Sequence, residues 1–371
     1  MTGVGTSARQ SSGMKRSIPV RPQTMNGGPA LIVPYMWIGD FVRCHTVIRL
    51  LRERNPGLAI DVLTTSMVAP LLDYMPGVRK GIIADLPRKK LAFGRHRALA
   101  SQLKAEGYAH VLVMPRTWKS ALAPCLAGIP LRTGFVGEAR FGLINDLRFG
   151  ERRLPRMVDR CAALALEKNE HLPTAWPLPQ LEVPVGEIAA WRRRFQIASN
   201  SRPAIALAPG AVGASKRWPT EYFAGLARRL VEGGYNVWVF GGPHERNIAD
   251  EIMQGERIRM RDFTGPDLRN AILGLAAARA VVSNDSGLLH VAAALGKSSV
   301  GIFGPTSPWH WAPLNPLSGI IEAQGELPCR PCHKPVCRPG HHRCMRDIAA
   351  DRVFVEVQRA AAANDQLCDL V

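Results

Sequence analysis

The chain has 371 residues, 46% of them hydrophobic and 34 of them glycine, an ordinary composition for a globular α/β protein and enough length for two domains. Its 48 Lys+Arg against 30 Asp+Glu leave a net charge of +18, which favours anionic partners: nucleic acid, an anionic membrane face or a phosphorylated substrate. No apolar run approaches the roughly 18–20 residues of a membrane span, and no zinc-finger spacing, RNP-like aromatic motif or basic heptad helix marks a nucleic-acid module.

In chain order, residues 1–28 are polar and basic without the apolar core of a signal peptide, and are expected to form a disordered extension with Met25 as an alternative start. The chain is accordingly expected in the cytoplasm. The stretch "ALIVP" reads as a buried strand, "YMWIGD" as a loop, and "FVRCHTVIRLLRERNPG" as a helix with arginines on its outer face, stopped at Asn55-Pro56-Gly57. "AIDVLTT", "GIIAD" (81–85) and "HVLVMP" (110–115) continue as strands, the latter two each followed by a helical stretch, which is the pattern of a doubly wound sheet.

A proline-rich passage, "HLPTAWPLPQLEVPVG" (171–186), breaks this pattern. A second run follows: "AIALAPGA" (204–211), a helix over 220–233, "NVWVFGGP" (236–243), a helix over 244–254, and then "ARAVV" leading into "SNDSGLLHVAAALG" (283–296) and "SVGIFGP". This last unit is strand, polar turn, helix, strand, so its turn lies at a strand's carboxyl end, where open α/β sheets bind ligands. The reading predicts an N-terminal domain over 29–175, a linker over 176–200, a C-terminal domain over 201–350, and a last helix over 351–371. Two such halves enclose a cleft.

Several residues at strand ends have chemistry to offer, each with a plain structural alternative. Asp285 or Ser286 can cap the helix, or with Asn284 and Gly287 can face an anion at its free N–H groups. "APGAVGASKRWP" presents Ser215 and Lys216 after small residues that let backbone approach phosphate, although it lacks the order of a Walker A loop. Glu245 can accept from ribose hydroxyls or complement a helix dipole. Asp40 is either a cap or a general base facing the cleft. Arg88, Lys89, Lys90, Arg95 and Arg97 form a solvated face or one wall of a site for a polyanion. Cys329, Cys332, Cys337 and Cys344, interspersed with three histidines, form a structural metal site, redox-labile thiols or a plain compact loop.

Five motifs in order, "MWIGD", "WKSALAPCLAGIPLRTGF", "FGLINDLR", "GASKRWP" and "NDSGLLHVAAALG", resemble the bacterial lipopolysaccharide heptosyltransferases of glycosyltransferase family 9, over about residues 30–360. The resemblance implies a GT-B fold, α/β with two Rossmann-like doubly wound domains facing a central cleft. It implies inverting transfer from ADP-L-glycero-β-D-manno-heptose to the heptosyl-Kdo-lipid A inner core at the inner membrane surface, with no cofactor, metal or nucleic acid. Acceptor binding then falls to 29–175 and ADP-heptose binding to 201–350.

On the same resemblance, Asp40 matches the proposed base and Lys216 the lysine on the donor diphosphate. Asp285 matches a sugar contact, with Ser286, Gly287 and His290 in its motif, and Glu245 matches a ribose contact. From the residues themselves, and not from the resemblance, Ser215 is placed in the donor set and the basic run (Arg88, Lys89, Lys90, Arg95 and Arg97) in the acceptor set. The chain contains no D-x-D triplet, so metal-bridged diphosphate chemistry is not indicated. Three other readings stand beside this one at the level of sequence: another acceptor within the same family, a GT-B nucleotide-sugar 2-epimerase, and a basic nucleic-acid-binding protein, which only the charge favours.

Overall fold

The computed structural model describes residues 27–87 and 92–368. Its N-terminal half is a six-stranded sheet of β1 (Ala30–Val33), β2 (Ile60–Thr64), β3 (Lys80–Ile83), β4 (His110–Val113), β5 (Leu131–Phe135) and β6 (Asp146–Arg148), in the order β3-β2-β1-β4-β5-β6. Its C-terminal half repeats the plan with β7 (Ala204–Ala208), β8 (Asn236–Val239), β9 (Met260–Asp262), β10 (Ala280–Asn284), β11 (Ser299–Phe303) and β12 (Ser318–Glu322), ordered β12-β11-β10-β7-β8-β9. Every neighbouring pair is parallel. Parallel strands are covered on both faces, which is why β1, β2, β7, β10 and β11 are buried at every position; β1 and β7 are wholly apolar, and the others carry buried polar residues at or near their ends. Both orders reverse at the first strand of the half, between β1 and β4 and between β7 and β10. Such switch points are where this architecture opens a crevice at the strands' carboxyl ends.

The covering helices of the first half are α1 (Ile38–Arg43), α2 (His45–Arg54), α3 (Phe93–Ala105), α4 (Trp118–Leu126) and α5 (Met157–Ala162). Those that follow are α6 (Val185–Arg194), α7 (Thr220–Glu232), α8 (Arg246–Met253), α9 (Leu268–Ala277), α10 (Gly287–Ala294), α11 (Pro308–Trp311), α12 (Arg343–Arg346) and α13 (Ala350–Cys368). Among the described residues no helix is long and apolar enough to cross a membrane.

The stretch 176–200, expected as a linker, contains α6, whose buried Trp191 donates its indole N–H to Asn270 of α9 (2.7 Å). An aromatic with a satisfied polar tip fixes the helix in place, and Trp191 packs on Phe195, Trp238 and Phe263. The helix after β1 starts one turn earlier than the sequence pattern suggests, at Ile38, and breaks at Cys44, so Gly39 and Asp40 lie within a helical turn. One buried apolar cluster runs from Ile32, Val47 and Leu112 in the first half to Trp238, Leu275 and Val291 in the second.

Candidate functional site

The two switch points supply the site. The loop leaving β1 leads into α1 with Asp40, and the loops leaving β7 and β10 carry Ser215, Lys216 and Asp285. Helix α1 packs directly on α10. Two glycines make this approach possible: a Cβ on Gly39 would stand 2.7 Å from His290 Cδ2, and one on Gly287 would stand 2.7 Å from Ile38 Cβ.

On the C-terminal side, Asp285 is 7% exposed and one of its oxygens, Oδ2, accepts from both Lys216 Nζ (2.6 Å) and Thr306 Oγ1 (2.8 Å). Lys216 stays partly open, with 28% of its side chain exposed. Neither Asp285 nor Ser286 caps α10. The carboxylate is committed to Lys216 and Thr306, and the hydroxyl of Ser286, the N-cap residue, pairs with Ser283 Oγ (2.9 Å) and makes no capping bond to the helix. The first-turn N–H groups therefore remain available to an incoming acceptor. Asn284 is fully buried and ties the strand end to the β7 loop, accepting from Trp218 N (3.1 Å) and donating to Pro209 O (2.7 Å). Glu245 arches over Gly210 and Gly241, joining the loops after β7 and β8.

On the N-terminal side, Asp40 accepts from the guanidinium of Arg43 (2.5 Å), and the same guanidinium reaches His290 Nε2 (3.0 Å) and Trp311 O (3.2 Å). A guanidinium has no acceptor atom, so Nε2 of His290 must be the acceptor and its ring proton must sit on Nδ1. Burial, followed by the positive charges of Arg43 and Lys216, holds His290 well below the usual histidine range, in keeping with a neutral ring. Asp40 and His290, 250 positions apart in sequence by their numbering, are thus brought to either side of one cation. Arg43 was expected on the outer face of its helix with Arg49, Arg52 and Arg54. It is instead 5% exposed, because His290 and Trp311 of the C-terminal half close over its guanidinium.

The basic run is only partly accounted for. Arg88, Lys89 and Lys90 lie outside the described residues, while Arg95 and Arg97 are exposed on the first turns of α3, with Arg95 donating to Asp85 O (3.3 Å). This helix follows β3, the outer strand, about 10 Å from β1 at two strand spacings. The structure therefore does not bring Arg95 and Arg97 into contact with Asp40 or Lys216.

The Cys/His segment folds back on the Lys216 loop. Ser215, 2% exposed, donates its hydroxyl to Lys334 O and its N–H to Pro335 O (3.1 Å), and its carbonyl accepts from His342 Nε2 (2.8 Å). Ser215 is thereby a structural clasp, its hydroxyl already engaged. Cys329, Cys332, Cys337 and Cys344 are free thiols. Cys344 is buried, and burial pushes its thiol up to about 11. Among the described residues no group of three or more His, Cys, Asp or Glu is arranged to hold a metal ion.

Sequence reasoning missed Arg43, Thr306 and the clasp around Ser215. Thr306 has a signal, the "FGPTSP" turn after a buried strand. Arg43 has none, since an arginine in an arginine-rich helix reads as solvated.

The family description that matches the chain is glycosyltransferase family 9 (heptosyltransferase), over residues 96–342. Lipopolysaccharide heptosyltransferase 2 of Escherichia coli K12 is 36% identical over 340 residues, covering 88% of this chain and 97% of the relative. Lipooligosaccharide heptosyltransferase 2 of Haemophilus ducreyi is 35% identical over 350 residues, covering 90% and 99%. The solved structure of E. coli ADP-heptose LPS heptosyltransferase II superposes with a TM-score of 0.81 at 34% identity, covering 91% of this chain and 99% of that one. The architecture is α/β of the GT-B kind, and the E. coli heptosyltransferase WaaC with ADP shares it at a TM-score of 0.69 and 17% identity. With that identity spread over nearly its whole length, the chain belongs to glycosyltransferase family 9, the heptosyltransferases.

Proposed function

We propose that this enzyme transfers L-glycero-D-manno-heptose from ADP-heptose to the heptosyl-Kdo-lipid A inner core, with inversion, during lipopolysaccharide core biosynthesis. The observation that carries the reading is the meeting of the two switch points: Asp40 on α1 stands against α10, which begins beside the Lys216–Asp285 pair. The near-full-length likeness to heptosyltransferase 2 relatives supports this donor and acceptor class.

Asp40 would take the proton of the acceptor hydroxyl as its oxygen bonds to the anomeric carbon. The bond from that carbon to the β-phosphate oxygen breaks on the opposite face, and its electron pair leaves with ADP. Lys216 and the uncapped start of α10 would offset the charge growing on the diphosphate. Asp285, with Ser286 and Gly287 beside it, would hold sugar hydroxyls, Glu245 the ribose, and His290 would keep the loop in place. Arg95 and Arg97, with the basic residues before them, would meet the anionic acceptor, and the net charge of +18 suits work at the cytoplasmic face of the inner membrane.

Incubation with ADP-heptose and truncated core acceptors, with ADP release followed in time, tests the reading. Release only with a heptosyl-Kdo acceptor is expected, and it should survive EDTA. Asp40→Asn keeps size but cannot take a proton, so kcat should fall by about 10²–10⁴ while ADP affinity holds. Turnover within a few-fold of wild type would move the base elsewhere.

A further inference from the structure

We propose that Arg43 is a positioning residue for the transfer: it aims the Asp40 carboxylate and ties it to the donor-side helix α10 through His290. This deepens the reading of Asp40 as the base and rests on it.

The contacts of Arg43 are unusual for a salt bridge. Its guanidinium is almost fully buried, which costs free energy unless its N–H groups are all satisfied. Only one partner, Asp40, is a carboxylate (2.5 Å). The other two, His290 Nε2 (3.0 Å) and Trp311 O (3.2 Å), are neutral and both belong to the C-terminal half. The Trp311 ring covers the guanidinium at 5.6 Å. An i, i+3 pair needs none of this to form, since on a helix surface such residues already face one another. Arg43 has instead been drawn into the seam where α1 meets α10, and Gly39 and Gly287 open that seam.

The fork geometry explains what this arrangement can do. Nη1 holds Asp40 Oδ1, while Nη2 takes the two contacts from the other half, so one rigid plane sets the angle between the base and α10. The proton of the acceptor hydroxyl then goes to Oδ2, the oxygen that the pair does not use. The same plane makes the base sensitive to the seam. If α1 and α10 separate, Arg43 loses both of its C-terminal partners, and Asp40 loses the anchor that aims it.

The test is a double-mutant cycle on the full chain, with kcat, both KM values and ADP affinity measured for the wild type, Arg43→Met, Asp40→Asn and the double variant. Arg43→Met should lower kcat about 10–100-fold, the scale of a misplaced catalytic group, with both KM values and ADP affinity within about threefold. Arg43→Lys should regain part of the loss, because an ammonium reaches Asp40 but cannot span to His290 as well. The double variant should be no slower than Asp40→Asn alone. Losses that multiply, or an Arg43→Met kcat within threefold of wild type, overturn the proposal. Should Arg43→Met fail to fold, the cycle is run with Arg43→Lys and judged by the same additivity. An Asp40→Asn variant that stays active sinks the base assignment and this proposal with it, whereas multiplying losses beside an inactive Asp40→Asn sink this proposal alone.

Discussion

Asp285 and Lys216 share an ion pair at 2.6 Å, yet they are predicted to do different work, and substitution separates the two. Lys216 is partly open and carries the charge that a diphosphate would seek. Lys216→Ala should therefore weaken ADP and ADP-heptose alike, by about 1.5–3 kcal/mol for one charge-assisted contact. Asp285 is buried on the oxygen that faces Lys216 and Thr306. Asp285→Ala leaves the lysine in place, so ADP affinity should hold while ADP-heptose binds more weakly. Calorimetric titration of both ligands into both variants reads the difference. Equal losses of the two ligands in Asp285→Ala would take this carboxylate out of the sugar site.

At the level of elements, the seam between α1 and α10 is the feature on which the two halves meet most closely. A methyl group at position 39 would lie 2.7 Å from the ring of His290, which is buried and held at Nε2 by Arg43. Gly39→Ala should then push the helices apart, lowering kcat at least tenfold, while ADP keeps its affinity if the C-terminal half binds it as proposed. A Gly39→Ala enzyme with wild-type kcat would show that turnover does not need this approach. The seam was also the least legible part of the sequence. The buried strands β1, β2, β4, β7, β8, β10 and β11 announce themselves by largely apolar stretches, and the polar turn after β10 reads directly as a ligand loop. The strands β5 ("LRTGF"), β6 ("DLR"), β9 ("MRD") and β12 ("SGIIE") do not: β6, β9 and β12 are short or half-exposed edge strands, β5 is broken by Arg132, Thr133 and Gly134, and all owe their form to their neighbours. Asp40, Lys216 and Asp285 could be singled out because each follows a strand. Arg43 could not, because its burial depends on His290 and Trp311, which come from the other half of the chain.

For the molecule as a whole, burial lowers the pKa of five histidines, His45, His96, His110, His290 and His333, and His45 and His110 are among the most strongly shifted. His45 accepts from Gln180 N at Nδ1 (2.9 Å) and has Nε2 on Pro76 O (2.8 Å), so it pins α2 to the chain entering the second half and has no site for a second proton. His110 has Nε2 on Thr133 Oγ1 (2.8 Å), and because that hydroxyl donates to Asp146 Oδ2 (2.8 Å), it must accept from His110; Nδ1 is left buried without a partner. Burial pushes both rings down to about 4 from the ordinary 6.5, and it moves His290, in the seam, in the same direction. Between these two values the unfolded chain binds more protons than the folded one, so stability present at neutral pH is lost as pH falls through that window. At pH 5 the cost is about 2 kcal/mol for each of His45 and His110. The carboxylates held low by their partners, Asp146, Asp159 and Glu170, act at lower pH and do not offset this loss. Urea unfolding followed between pH 7.5 and 5 should show the midpoint falling steadily, with the second half loosening from α2 once His45 is charged. In His45→Gln, whose amide can donate to Pro76 and accept from Gln180 without titrating, the slope should flatten. A wild-type midpoint that stays level across the window would mean that these rings take up a proton in place, and that the contacts at Gln180 and Pro76 yield to it.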